Sequence, residues 1–126
     1  MAPDFPEEVL MSNFTVVIRT AMENTDVSVV EIGGVLDINA IGDFETKVDG
    51  LLRKKLFKLV VNMEKLTYIS SAGMGYLVGN IKEVRRNKGD IKLVGVNADI
   101  YRVFELLDFP SIFQFFKTER EAVQKY

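Results

Sequence analysis

The chain has neither cysteine nor histidine. Without cysteine there are no disulfides, no thiolate metal sites and no cysteine nucleophile. Without histidine, Ser-His-Asp catalysis, imidazole acid–base chemistry and histidine-ligated metals drop out as well. Proline is scarce, and Pro3 and Pro6 both fall before residue 14. No apolar run approaches the roughly eighteen residues that span a bilayer. The first residues lack the basic stretch and apolar core of a secretory signal. These absences predict a cytoplasmic protein without a membrane partner. An excess of one charge is missing too: 16 Lys and Arg face 18 Asp and Glu, a net charge of −2. That balance gives no support to direct nucleic-acid binding.

What is present suits one soluble domain. The chain has 126 residues, 48% of them apolar and 27% charged, and halving it would leave each part too little surface to bury. Residues 1–13 show no clean period and read as a flexible leader, within which Met11 is an alternative start; residues 14–126 read as the domain. Phe14 to Thr20 is rich in β-branched residues and predicts a strand. Val27 to Leu36 predicts a second, bulged at Gly33-Gly34. Their short connection makes them an antiparallel hairpin.

Beyond the hairpin, helix and strand alternate. Ile41, Phe44, Val48, Leu51 and Leu52 follow helical spacing behind Asn39 as N-cap. Lys58 to Met63 predicts an interior strand. Met74, Leu77, Val78, Ile81 and Val84 space as a helix, with Arg85, Arg86 and Lys88 crowding its end and Gly89 stopping it. Leu77, Val78 and Ile81 are expected to face the sheet together with Val60. Ile91 to Val96 predicts a strand, and Ile100, Val103, Phe104 and Leu107 a helix stopped near Pro110. Ile112 to Phe116 predicts a last strand, and Thr118 to Tyr126 a last helix opened by a Thr118–Glu121 capping box. The order β-β-α-β-α-β-α-β-α predicts a single α/β domain. Its sheet is mostly parallel with an N-terminal antiparallel strand, and it carries about four helices.

In such folds ligands and partners meet the carboxyl ends of the parallel strands. Two loops belong there: Gly34 to Asn39, and Thr67 to Gly75. The second runs through Ser70 and Ser71 into Ala72, Gly73 and Gly75 at a helix start. Backbone N–H groups at a helix start lack partners, and a serine can cap them or an anion can be held there. Glycine costs a helix about 1 kcal/mol relative to alanine, so two in one opening turn need a reason. By spacing alone, a serine serves as a cap and the glycines let the helix pack tightly on the sheet. The same residues also let another protein or a phosphate approach the backbone closely.

Other chemistry finds less footing. Gly73-Met74-Gly75 lacks the third glycine of a dinucleotide loop, and no Lys-Ser/Thr pair follows as in a P-loop. A receiver-type phosphoacceptor needs an aspartate at the end of the central strand, where this chain has Asn62 and no acidic cluster. Asp37 is a single carboxylate of the kind that bonds its own loop. Lys82, Arg85, Arg86 and Lys88 read as a solvated helix end, without the interleaved aromatics of a stacking surface.

At the two loops the chain resembles STAS domains of the anti-sigma factor antagonist family, over roughly Phe14 to the C-terminus. Gly34-Val35-Leu36-Asp37 is similar to the family's Gly-x-Leu-Asp. Asn62 and Tyr68-Ile69-Ser70-Ser71-Ala72-Gly73-Met74-Gly75 match the region of its Asp-Ser-Ser/Thr/Ala-Gly-Leu/Met-Gly motif. Leu93-Val94-Gly95-Val96 and Val103-Phe104-Glu105-Leu106-Leu107 follow its rhythm. The resemblance implies no catalysis and no cofactor. It implies an unphosphorylated form that binds an anti-sigma factor with serine kinase activity and so releases a sigma factor. Phosphorylation by that kinase ends the binding, and a serine phosphatase restores it. The acceptor aligns with Ser71. Ser70 stands where many members carry Asp, which leaves two adjacent hydroxyls and makes Ser70 the second candidate. The implied partner surface comprises Asp37, Asn39, Ser70, Ser71, Ala72, Gly73, Met74, Gly75 and Tyr76. An alternative implied by other STAS domains is a constitutive scaffold without a phosphorylation cycle, holding a small ligand such as a nucleotide near the same loops.

Overall fold

In the computed structural model, which describes residues 13–126, Phe14–Thr20 (β1) pairs antiparallel with Ser28–Leu36 (β2). The predicted leader therefore lies outside the described residues, Asn13 excepted. Next come Ile41–Arg53 (α1), Lys58–Ile69 (β3), Ser71–Arg86 (α2), Asp90–Val94 (β4) and Ala98–Leu106 (α3). A 3-10 turn at Phe109–Ser111 leads to Phe115–Phe116 (β5) and Glu119–Gln124 (α4). The five strands lie in chain order in one sheet, with β2 to β5 parallel. The predicted α/β order thus holds across the described residues.

Because consecutive parallel strands are neighbours, each crossover steps the same way and places its helix on the same face. Phe44 and Val48 of α1, Leu77 and Ile81 of α2, and Phe104 of α3 share one buried cluster with Ile32, Val61 and Leu93 of the sheet. Fully burying a side chain of this size is worth about 1.5–3 kcal/mol. The opposite face is covered by α4, where Ala122 and Val123 meet Val29, Val60 and Val94. The predicted capping box of Thr118 and Glu121 opens that helix. Arg19 ties it to β1 through two bonds donated to Glu119, at 2.6 and 2.7 Å.

Several boundaries and phases differ from the sequence reading. Strand β3 does not end at Met63 but runs on to Ile69, paired with β2 alone past Asn62. The final strand is only Phe115–Phe116, because Ile112 and Phe113 close the turn behind Pro110 by donating to the Phe109 carbonyl at 2.8 Å. Val60 faces α4 rather than α2. Val78 is not buried against the sheet; it is 39% exposed, and Val103 is 40% exposed.

The ends of α1 and α2 share one geometry. Lys55 donates to Leu52 and Leu56 to Leu51, while Lys88 donates to Arg85 and Gly89 to Val84, at 2.9–3.0 Å. This is the Schellman arrangement, whose left-handed residue is usually glycine. Here it is Lys55 at φ 64° and Lys88 at φ 66°. Left-handed backbone costs a residue with a Cβ about 1–2 kcal/mol. Gly89, expected to stop the second helix by its own freedom, is instead held by close approach: a Cβ there would fall 1.9 Å from the Phe57 carbonyl oxygen.

Candidate functional site

The parallel register carries β2 and β3 to a common end, Leu36 beside Ile69. There the Ser70 N–H donates to the Leu36 carbonyl at 2.8 Å. This one bond stitches together the two loops singled out in the sequence. On the other side of β2, Gly34 lets Asn13 come close: its φ is +82°, and any Cβ would strike the Asn13 carbonyl at 1.6 Å.

Asp37 organises the first loop. Its carboxylate accepts from the N–H groups of Asn39 at 3.0 Å and Ala40 at 3.1 Å. Asn39 is therefore not the predicted N-cap: Ala40 holds that position without a side-chain bond, and Asn39 is exposed. The Asp37 carboxylate thus closes the turn that precedes the helix. Ile38 projects beside it, 70% exposed.

The second loop separates the two serines. Ser70 is the N-cap of α2, and its hydroxyl accepts from the Gly73 N–H at 3.3 Å. Ser71 is the first helical residue and is exposed. The first turn of α2 carries no acidic side chain, so the helix dipole there favours an added anion without repulsion from that turn.

The following residues divide by direction. Ala72 is half-buried, and Gly73 and Met74 are buried. A Cβ on Gly73 would sit 3.0 Å from both Ile69 and Leu36, so this glycine seats α2 on the strand ends. Gly75 is exposed, with open space where a Cβ would be. Tyr76 turns into the seam with α1: its ring packs edge-on to Phe44 at 5.5 Å and its hydroxyl donates to Asp49. Burial, reinforced by that carboxylate, raises the Tyr76 hydroxyl pKa above the usual phenol range. Asn62, quoted with the motif, is not at this end. It lies within β3 and donates to Glu119 of α4 at 3.1 Å.

Beside Ser71 and Gly75 runs an open apolar groove of about 330 Å³, floored by Met74, Val78, Leu107, Phe109 and Ile112. The sequence reading assigned Val78 and Leu107 to buried helix faces and so missed this groove. The available signal was width: with Val78 beside Leu77, the apolar arc of α2 is broader than one sheet contact needs. Among the described residues, no group of acidic side chains is placed to hold a metal ion. No described helix is long and apolar enough to cross a membrane.

A family model described as the STAS domain matches residues 19–122. The chain is 30% identical over 77 residues to an anti-sigma-B factor antagonist of Staphylococcus aureus, a stretch covering 61% of this chain and 71% of that protein. The fold is similar to an anti-sigma factor antagonist from Mycobacterium paratuberculosis, with a TM-score of 0.80 at 17% identity over 91% of this chain and 95% of that one. It is also similar to the Bacillus cell fate determinant SpoIIAA in the phosphorylated form, with a TM-score of 0.67 at 21% identity over 86% and 98% of the two chains. At such identities the two solved structures speak for the fold.

Proposed function

The chain belongs to the STAS domain family, and from that premise we propose that it is an anti-sigma factor antagonist switched by phosphorylation of Ser71. It acts as a binding module, not an enzyme. Its partner is an anti-sigma factor with serine kinase activity, whose capture frees a sigma factor, and a serine phosphatase resets it. The supporting relative is the Staphylococcus aureus antagonist. The observation that carries the choice of residue is the division of labour between the serines. Ser70 spends its hydroxyl on the helix cap, whereas Ser71 is exposed on the rim of the apolar groove.

In this reading the partner covers the Asp37–Asn39 loop, Ser70 to Gly75 and the groove, while Tyr76 supports the seam behind. The Ser71 oxygen attacks the terminal phosphorus of ATP, loses its proton and displaces ADP. Phosphatase hydrolysis later returns the hydroxyl and free phosphate. The modification adds a charge of about −1.5 to −2. The helix N-terminus tolerates that charge, so the fold stays intact. The complex does not, because a dianion on the rim must be stripped of water as the groove closes. A coupling of about 3 kcal/mol weakens binding roughly 150-fold.

Binding titrations against the kinase-type anti-sigma factor test this. Ser71→Ala should bind like the parent and resist modification. Ser71→Asp should fold normally and bind at least tenfold more weakly. Equal binding by both variants, with the parent chain accepting no phosphate on Ser70 or Ser71, would favour the constitutive scaffold.

A further inference from the structure

We propose that the end of the sheet opposite Ser71 is a second binding site, for a multiply charged phosphate group. There the ends of α1 and α2 and the β1–β2 turn enclose a depression of about 270 Å³. Lys55, Lys58 and Lys88 line it, with Thr25 and Asn87 as further donors and Asp26 as its one carboxylate. Some cations elsewhere are matched. Arg19, Lys65, Arg85, Lys92, Arg102 and Arg120 each pair with an acidic side chain. Among the described residues, none of the three lysines of the depression makes an ion pair, Asp26 notwithstanding.

Neutralising the helix dipole does not account for them. Arg53 already occupies the last turn of α1, and Arg85 and Arg86 that of α2. Lys55 and Lys88 lie one step further, at left-handed positions where glycine would be the cheaper residue. Two strained positions from separate helices thus both bring a lysine to the lining of one depression. A polyanion entering the depression meets three cationic side chains of its lining at once. Lysine suits the phosphate oxygens as a point charge, and the Asn87 amide and Thr25 hydroxyl can complete their hydrogen bonds. A ligand here leaves the Ser71 end open, so both ends can be occupied together.

The test is a titration of the full chain with inorganic pyrophosphate at physiological salt, followed by backbone amide shifts. In parallel, the chain is co-sedimented with phosphatidylcholine vesicles containing phosphatidylinositol bisphosphate. Saturable shifts confined to Thr25, Lys55, Lys58 and Lys88 are expected. The double variant Lys55→Gly, Lys88→Gly should weaken binding at least tenfold, and because glycine accepts the left-handed backbone, it keeps the fold. Lys55→Glu with Lys88→Glu should abolish binding. Binding in the soluble arm identifies a free phosphate compound, and binding confined to vesicles a lipid headgroup; either supports the site if the variants lose it. No saturable response in both arms, or responses that the variants leave unchanged, would overturn the proposal.

Discussion

Gly73 and Gly75 stand two residues apart on α2, yet one meets Leu36 and Ile69 and the other meets nothing. The whole helix divides along this line. Gly73, Met74, Leu77, Ile81 and Val84 face inward, while Ser71, Gly75 and Val78 face out. The inward side is explained by the fold. The outward side keeps a helix-weakening glycine and a half-exposed valine that the fold does not need. In the proposed reading, a partner supplies the reason that the fold does not. Substitutions on the two sides should therefore move different measurements.

The largest effect belongs to the inward side. Leu77→Ala should lose about 2–5 kcal/mol of stability, read by urea unfolding, and any loss of partner binding should track the unfolded fraction. Gly73→Val comes next, at about 1–3 kcal/mol for crowding a filled site. Its binding should recover when stability is restored by a compensating substitution elsewhere. Gly75→Leu should separate the two sides by sign. Replacing an exposed helical glycine raises stability by several tenths of a kcal/mol, while the added bulk should cut partner affinity tenfold or more. A parallel fall in both quantities would break the comparison.

The smallest effect is a control on the far face. The Arg19 hydrogen bond holds the Glu119 carboxyl below its ordinary value of 4.5. A carboxyl depressed in the folded state stabilises fully above that ordinary value and loses its contribution as pH falls through the folded one. Melting temperatures taken from neutral to acid pH should show part of the acid loss removed in Glu119→Gln. Partner affinity at neutral pH should be untouched, since α4 lies across the sheet from Ser71.

The alternation of elements was legible because each helix and strand carries its own period. What the periods could not convey is direction within a doubly covered sheet. Lys58 to Met63 is apolar on both faces, so nothing in it says that Val60 belongs to α4 and Val61 to the other helices. The extension of β3 was hidden for the opposite reason. Glu64, Lys65 and Thr67 are exposed where β4 no longer flanks the strand, and their polarity broke the run. At the site, the motif placed both loops correctly at one sheet end. The separate roles of Ser70 and Ser71 depend on backbone angles: Ser70 is extended at ψ 166° and begins the helix with its side chain turned to Gly73. Neighbouring identical residues carry no sign of that difference. Only the α2 wall of the groove left a trace in the sequence, as a broad apolar arc, since Ile112 reaches the groove only after the turn at Pro110.

The central claim is that Ser71 is the hydroxyl left free for modification. Site-resolved mass spectrometry after incubation with the kinase-type anti-sigma factor and ATP tests it most directly. One phosphate on Ser71, with Ser70 unmodified and the fold retained, is the predicted result. Phosphate on Ser70 alone would contradict the account, because it would require the α2 cap to be given up.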